Sequence, residues 1–200
     1  MGRGVDGLIQ TPMTRNRESS DFVSRGGDKL AAALAAFEIS VKGRVCADFG
    51  SHTGGFVDCL LRNGAARAYA VEPGVGVLHD RLRGDERVVV CEGENALSWT
   101  APEPCDVISI DAGWTPQRLI LVAAQRALAP GGCVISLIKP HYEADKRWLR
   151  RGVLPPERLE ETLALTREDV TDLGWRIVDE CASPLLGHSG NTEMLWLLRR

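Results

Sequence analysis

A glycine-rich segment, ADFGSHTGGFVD at residues 47–58, contains the first side chains whose types and spacing could bind a ligand. The candidate ligand-binding residues in this segment are Asp48, Gly50, Ser51, Thr53, Gly54, Gly55 and Phe56. Glycines let a backbone turn sharply and approach a ligand closely. The helix predicted after the segment would present its free N–H groups to that ligand. We therefore interpret the segment as a binding turn at the end of a buried strand.

Two classes of ligand can be excluded from motifs that the segment lacks. A phosphate loop needs a lysine after its last glycine, and no lysine follows Gly54 or Gly55. A dinucleotide loop would read G-x-G-x-x-G, whereas Gly50 and Gly54 are separated by three residues. Asp48 would repel a pyrophosphate but could accept hydrogen bonds from an ammonium group. Glu72, 24 residues after Asp48, could accept both hydroxyls of a ribose. This combination favours S-adenosyl-L-methionine, and a structural turn with two solvated acids is the alternative.

The elements around this turn alternate between strands and helices. A helix is predicted over residues 26–40, with Leu30, Leu34 and Phe37 on one face. Strands are predicted at 44–50, 65–72, 87–92, 105–111, 133–139, 175–184 and 192–200, and helices at 75–83, 116–129 and 156–174. The middle strands are continuous apolar runs, as expected when helices cover both faces of a parallel sheet. The last two strands resemble an antiparallel addition at one edge. The pattern predicts a doubly wound α/β domain with seven strands.

Composition excludes several classes of protein. The chain of 200 residues is 44% hydrophobic and 26% charged, and its formal net charge is −3. These values are typical of a globular domain, and they give no overall positive field that would attract nucleic acid. No apolar run approaches the ~18 residues of a membrane span. The four histidines lack metal-ligand spacing, so no metal site is predicted.

Six cysteines occur without a C-x-x-C pair, and several lie in apolar runs. They are interpreted as reduced thiols, so a cytoplasmic location is expected. The N-terminal stretch lacks the apolar core of a signal peptide. We therefore expect a flexible arm at residues 1–21 and a single domain at residues 22–200.

Four separated motifs, VSRGGDKL, DFGSHTGGFVDCLL, LIKPHYEA and SPLLGHSGNTEMLWLL, resemble the TlyA family of hemolysin-A-like rRNA methyltransferases. This family is related to the FtsJ-type ribose 2′-O-methyltransferases. The resemblance covers roughly residues 22–199 in order. It implies a Rossmann-like class I methyltransferase fold that binds S-adenosyl-L-methionine.

The resemblance also implies a catalytic Lys-Asp-Lys-Glu tetrad, which matches Lys29, Asp111, Lys139 and Glu193. Independently, Asp111 and Lys139 each end a predicted strand at the ligand side of the sheet. A ribose hydroxyl is a poor nucleophile until its proton is engaged. Lys139 could act as a base if burial favoured its neutral amine, or as a charged group that stabilises the developing alkoxide. Both roles remain open from the sequence, and Lys29 and Glu193 would orient Lys139 and the ribose.

The chain departs from the family pattern near these residues. Ala112-Gly113-Trp114 follows Asp111, His141-Tyr142 follows Lys139-Pro140, and Asn95, a predicted donor contact, lacks the usual arginine two residues later. The family's N-terminal RNA-binding domain has no counterpart before residue 22, so RNA would be bound by this domain or by a separate RNA-binding partner. Candidate RNA-binding residues are Lys146, Arg147, Trp148, Arg150 and Arg151. Trp99, Trp114, Trp175 and Trp196 are expected to be packing residues.

The leading hypothesis is an S-adenosyl-L-methionine-dependent RNA ribose 2′-O-methyltransferase that acts on ribosomal RNA or a ribosomal subunit. A catalytically inactive member that binds RNA or the donor is the first alternative. A methyltransferase for a small hydroxyl substrate is the second. No membrane role is expected, because no basic amphipathic helix is visible.

Overall fold

The computed structural model describes residues 21–200. Its helices are α1 (Gly26–Ala36), α2 (Gly55–Arg62), α3 (Asp80–Arg83), α4 (Gln117–Ala127), α5 (Pro140–Glu143) and α6 (Leu159–Asp172). Its strands are β1 (Val45–Phe49), β2 (Arg67–Glu72), β3 (Val88–Glu92), β4 (Cys105–Ile110), β5 (Leu128–Ile138), β6 (Arg176–Ala182) and β7 (Met194–Arg199). Residues 1–20 of the predicted arm lie outside the described residues.

Within residues 21–200, the strands form one seven-stranded sheet in the order β3-β2-β1-β4-β5-β7-β6. The first five of these strands pair in parallel. β7 runs antiparallel to both of its neighbours, β5 and β6. The predicted antiparallel addition at one edge is therefore confirmed, and the structure adds that β7 lies between β5 and the edge strand β6.

The core has a layer on each face of the sheet. On one face α1 and α2 pack against the strands, and the predicted stripe of Leu30, Leu34 and Phe37 is buried there. On the other face α4 and α6 pack around Trp99, Trp175 and Trp196. Successive residues of β5 and β7 alternate between the two layers, as the pleat of a strand requires.

Several predicted boundaries were wrong: the helix predicted over residues 26–40 ends at Ala36, and the strand predicted from residue 133 begins at Leu128. Two helix boundaries were wrong for clear physical reasons. The helix expected at residues 75–83 is reduced to α3, because the N–H groups of Gly76, Val77 and Leu78 donate instead to the Glu92 carboxylate. The helix expected to run to residue 129 ends at Ala127, and β5 starts directly at Leu128 through a register shift opposite β4.

All six cysteines of the chain are free thiols, four of them buried. Among the described residues, no helix is both long and apolar enough to cross a bilayer.

Candidate active site

A cleft of about 700 Å³ opens at the carboxyl ends of the parallel strands. Its walls come from the segments that follow β1, β2, β4 and β5 and from the start of α1. β1 lies between β2 and β4, so the chain crosses over in opposite directions on either side of it. Ligands of open α/β sheets bind at this switch point, and the volume suits a small molecule.

The glycine-rich turn shapes one wall of the cleft. Gly50 has φ +85°, and a Cβ there would lie 3.0 Å from the backbone of Asp111 and Ala112. A side chain at this position would therefore separate the ends of β1 and β4. Gly55 lies in the cleft wall, but a Cβ on it would clash with Ser24 Oγ, so this glycine lets α2 pack against the segment before α1.

Gly54 is not among the described residues that line the cleft. Its backbone N–H donates to the Ser51 carbonyl, and its α-carbon faces Leu78 and Leu82. With φ +99° it begins α2 as a left-handed cap. Its role in this structure is to form the turn, and the predicted donor contact through Gly54 has no support in this geometry.

Asp48 is the most perturbed acid of the cleft. It is 1% exposed, and its Oδ1 accepts a 2.7 Å hydrogen bond from Ser109 Oγ. Burial raises the pKa of Asp48 to about 8, with smaller contributions from the carboxylates of Asp111 and Glu72, and the Ser109 bond opposes the shift. Its Oδ2 and the nearby Ser51 Oγ are buried without a hydrogen-bond partner among the described residues. These orphaned atoms suit a ligand that brings an ammonium and further polar groups.

Glu72 closes β2 at the next part of the cleft. Its two carboxylate oxygens accept the N–H groups of His52 and Gly74, at 3.0 and 2.8 Å. A carboxylate has about four lone-pair sites, so two stay available for ribose hydroxyls. Asn95 lines the same region, but its side-chain oxygen accepts the Leu97 N–H and shapes the local turn.

The four residues of the predicted tetrad line the same cleft as two ion pairs. Lys29 Nζ lies 2.5 Å from Glu193 Oε2, and both side chains are less than 10% exposed. Lys139 Nζ lies 2.6 Å from Asp111 Oδ1 and also donates to the Asp111 and Ala112 carbonyls. The structure therefore brings together residues that are up to 164 positions apart.

Each ion pair is held by neighbouring elements. Lys29 projects from α1, and the segment before α1 is anchored because the Val23 N–H donates to the buried Asp58 of α2. Asp58 also pairs with Arg62 and Arg81. Lys139 follows directly on β5, where it caps α5.

An aromatic group forms the rim beside Lys139. The Trp114 and Tyr142 rings lie 4.7 Å apart at 31°, and the His141 ring lies 4.1 Å from that of Tyr142. Trp114 is 82% exposed and has φ +58°, so its predicted packing role was wrong. The sequence could not reveal this, because a tryptophan in a short loop carries no periodic signal. Burial, and then the charge of Lys139, lower the pKa of His141.

The predicted RNA-binding segment lies outside the cleft that the described residues form. Arg147 pairs with Asp145 and Arg150 with Glu157, while the Arg158 guanidinium covers one face of Trp148 at 4.6 Å. These contacts are local, and RNA binding by the segment stays a prediction.

Sequence reasoning missed several residues of the cleft wall. Ser24, Arg25 and Gly26 line it immediately before Lys29, and Thr115 lines it after Asp111. The motif VSRGGDKL was the available signal, since these residues adjoin a predicted catalytic lysine. Among the described residues, no three His, Cys, Asp or Glu side chains are grouped to hold a metal ion.

Comparison with known proteins agrees with this geometry. The profile of the FtsJ-like methyltransferase family matches residues 22–200. The chain is 40% identical over 184 residues to the 16S/23S rRNA (cytidine-2′-O)-methyltransferase TlyA of Mycobacterium tuberculosis, covering 88% of this chain and 68% of that protein. It is 37% identical over 191 residues to the YqxC protein of Bacillus subtilis, covering 92% and 68%.

A solved structure from Streptococcus thermophilus that carries a hemolysin name superimposes with a TM-score of 0.88 at 35% identity. The superposition covers 92% of this chain and 68% of that one. The predicted Rossmann-like methyltransferase fold is confirmed. The match over nearly all the described residues leaves one conclusion: the chain belongs to the FtsJ-like methyltransferase family.

Proposed function

We propose that the protein is an S-adenosyl-L-methionine-dependent RNA ribose 2′-O-methyltransferase that acts on ribosomal RNA. The observation that carries the proposal is the meeting of two Lys–carboxylate ion pairs with an orphaned, buried Asp48 in one cleft. The name of the relative from M. tuberculosis, a 16S/23S rRNA (cytidine-2′-O)-methyltransferase, supports an RNA substrate. A cytoplasmic location accords with an rRNA substrate.

The cleft residues fit the methyl donor part by part. Asp48 Oδ2 would accept from the donor's ammonium, and Ser51 Oγ lies nearby for its polar groups. Glu72 would accept the ribose hydroxyls with its remaining lone pairs. When bound, S-adenosyl-L-methionine supplies a methyl group on a positively charged sulfur that leaves as a neutral thioether.

Lys139 and Asp111 would act on the ribose hydroxyl. Because Lys139 Nζ lies 2.6 Å from the Asp111 carboxylate, we assign this lysine to electrostatic stabilisation of the reacting oxygen. With Lys139 stabilising the oxygen, the ribose hydroxyl would lose its proton to solvent as this oxygen takes the methyl group that the bound donor would supply. Lys29 of α1 and Glu193, which directly precedes β7, are both buried and would hold the ribose in line. Such positioning can contribute roughly 7–11 kcal/mol.

RNA would approach over the aromatic rim. Trp114 is largely exposed there, and stacking on an aromatic ring typically contributes about 1–3 kcal/mol per base. Because the net charge is −3, phosphate contacts must be local, and the segment of residues 146–151 remains our candidate. A ribosomal subunit as substrate, or a separate RNA-binding partner, would supply further contacts.

The test is methyl transfer to RNA from cells that lack the gene. Purified protein is incubated with tritium-labelled donor and either naked rRNA or separate ribosomal subunits, and resistance to alkaline cleavage locates each 2′-O-methyl group. Lys139→Ala is expected to reduce transfer to background while calorimetry gives a donor Kd within about twofold of wild type. Lys42→Ala, an exposed lysine outside the cleft wall, is the matched control.

Full activity of Lys139→Ala would contradict the assignment of the site. Donor and RNA binding without any transfer by the wild type would instead support the alternative of an inactive binding module. Transfer to a small hydroxyl compound but to no RNA would support the second alternative.

A further inference from the structure

Two segments of the site run side by side and touch at three successive points. The first contact is the Lys139–Asp111 ion pair, and the second is the stacking of Tyr142 on Trp114. The third is a 3.0 Å hydrogen bond in which the backbone N–H of Gln117 donates to Glu143 Oε1. We call these contacts the α5 clasp, since α5 and the preceding Lys139 hold residues 111–117 through them.

The segment is also held at its two ends, where the Asp111 N–H donates to the Phe49 carbonyl and the Gln117 side chain accepts a bond from Ser136. The middle of the loop, around Gly113 and Trp114, depends more on α5. Trp114 has φ +58°, a conformation that costs free energy in a non-glycine residue and persists only where neighbours enforce it. A Cβ added to Gly113 would meet no atom within 4 Å, so the loop is open on that side. The contacts with α5 therefore have a large share in fixing the loop.

Glu143 also completes the start of α4. Pro116, the N-cap residue of α4, makes no side-chain cap bond, so the first N–H groups of this 11-residue helix need acceptors from elsewhere. Glu143 provides one from α5, where its negative charge also interacts favourably with the N-terminal end of the helix.

The surroundings of Glu143 make its charge state sensitive to conditions near neutrality. Burial raises the pKa of Glu143 to about 7. The Gln117 bond opposes this shift, Asp169 of α6 adds to it, and Arg118 of α4 opposes it. These are the charged groups that face the carboxyl from the elements packed against it.

We propose that Glu143 is a positioning residue for methyl transfer, which holds residues 111–117 against α5 and thereby fixes Asp111 beside Lys139. The proposal rests on the proposed function. Glu143 does not line the cleft, so it acts through the loop and not on the substrate.

The test distinguishes loss of the Glu143–Gln117 hydrogen bond from other effects of changing the Glu143 side chain. Glu143→Ala is expected to lower kcat about tenfold with the donor Kd and the KM for rRNA within about threefold of wild type. Glu143→Gln keeps an acceptor oxygen and is expected to restore kcat to within about threefold. The pH profile of kcat should lose a component near pH 7 in Glu143→Gln. Glu160→Ala, an exposed glutamate of α6, is the matched control.

The donor side of the bond offers a second, independent pair of variants. Gln117→Pro removes the N–H at the first helical position, where proline is well tolerated. Gln117→Ala keeps that N–H and removes only the side chain, which accepts a bond from Ser136. Gln117→Pro should match Glu143→Ala in kcat, whereas Gln117→Ala should stay near wild type.

Equal losses in the two Gln117 variants, or a wild-type kcat in Glu143→Ala, would overturn the proposal. Hydrogen exchange of residues 112–118 needs no activity, and it should quicken in Glu143→Ala but not in Glu143→Gln. If the wild type methylated no RNA, the proposed function would fail while this exchange measurement still reported on the clasp. If Glu143→Ala did not fold, the Gln117 pair would decide the question.

Discussion

Replacing Asp48 by asparagine is expected to abolish a proton release that accompanies donor binding. With a pKa of about 8, roughly nine in ten molecules hold Asp48 protonated at pH 7 before the donor arrives. An ammonium beside Oδ2 favours the carboxylate, so binding should release about 0.8 proton at that pH, after allowing for the roughly one in ten donor amino groups that must gain a proton. The asparagine amide of the variant has no such proton to release.

The same reasoning predicts how the affinity for the donor depends on pH. Between pH 6 and pH 8 the ionised fraction of Asp48 rises from about 1% to about half, while the donor's own amino group, with a pKa near 8, loses about half of its protons. The two effects together predict about twentyfold tighter binding at pH 8 than at pH 6, with weaker binding again above pH 8. For Asp48→Asn the rise is expected to be absent and the affinity at pH 8 to be at least about tenfold weaker.

The free energy of unfolding of the donor-free protein should fall as pH rises, whereas the donor affinity rises. A carboxyl whose folded pKa is raised from 3.8 to about 8 contributes stability that is complete below pH 4 and is lost as pH rises to 8. Asp48→Asn should therefore gain stability over wild type as pH rises across this window, by at most about 5 kcal/mol at pH 8.

Titration calorimetry in buffers of different ionisation enthalpy measures the released proton, and thermal melts across pH measure the stability. Asp172→Asn, exposed at the end of α6, is the control. Binding without proton release at pH 7, together with a Kd that is flat from pH 6 to 8, would refute the assignment of Asp48 to the ammonium.

Three further outcomes are expected. Lys29→Met should destabilise the fold by about 3–5 kcal/mol in denaturant titrations, since it leaves the buried Glu193 unpaired, and adding Glu193→Leu should recover much of the loss. Trp114→Ala should raise the KM for rRNA while the free energy of unfolding changes by less than about 0.5 kcal/mol, because the ring is exposed. Arg150→Ala with Arg151→Ala should reduce the salt dependence of RNA affinity in filter binding, and an unchanged slope would remove this segment from the interface.

The sheet could be predicted from the sequence because its signals are local. Apolar runs and glycine turns mark each strand, and the stripe of Leu30, Leu34 and Phe37 marks the buried face of α1. The pairing within the tetrad could not be predicted in this way. Which carboxylate meets which lysine depends on the packing of α1 against β7, far apart in the chain.

The errors arise from features of the fold that the local sequence does not encode. Glu92 captures three backbone N–H groups that a longer α3 would have used. Gly55 lies in the cleft wall, and its missing side chain also lets Ser24 pack closely, which no local pattern encodes. Trp114 is exposed because the loop between β4 and α4 directs it outward, and no local pattern encodes that direction.

The Lys29–Glu193 ion pair joins two residues that the ribosome adds 164 positions apart. During synthesis, Lys29 emerges long before its partner, while the strand that follows Glu193 is inserted between two strands made earlier. The four side chains of the tetrad can thus meet only after the chain has been made through Glu193. Under the proposed function, methyl transfer therefore requires β7 to be in place between its two neighbours, because this strand follows the last member of the tetrad.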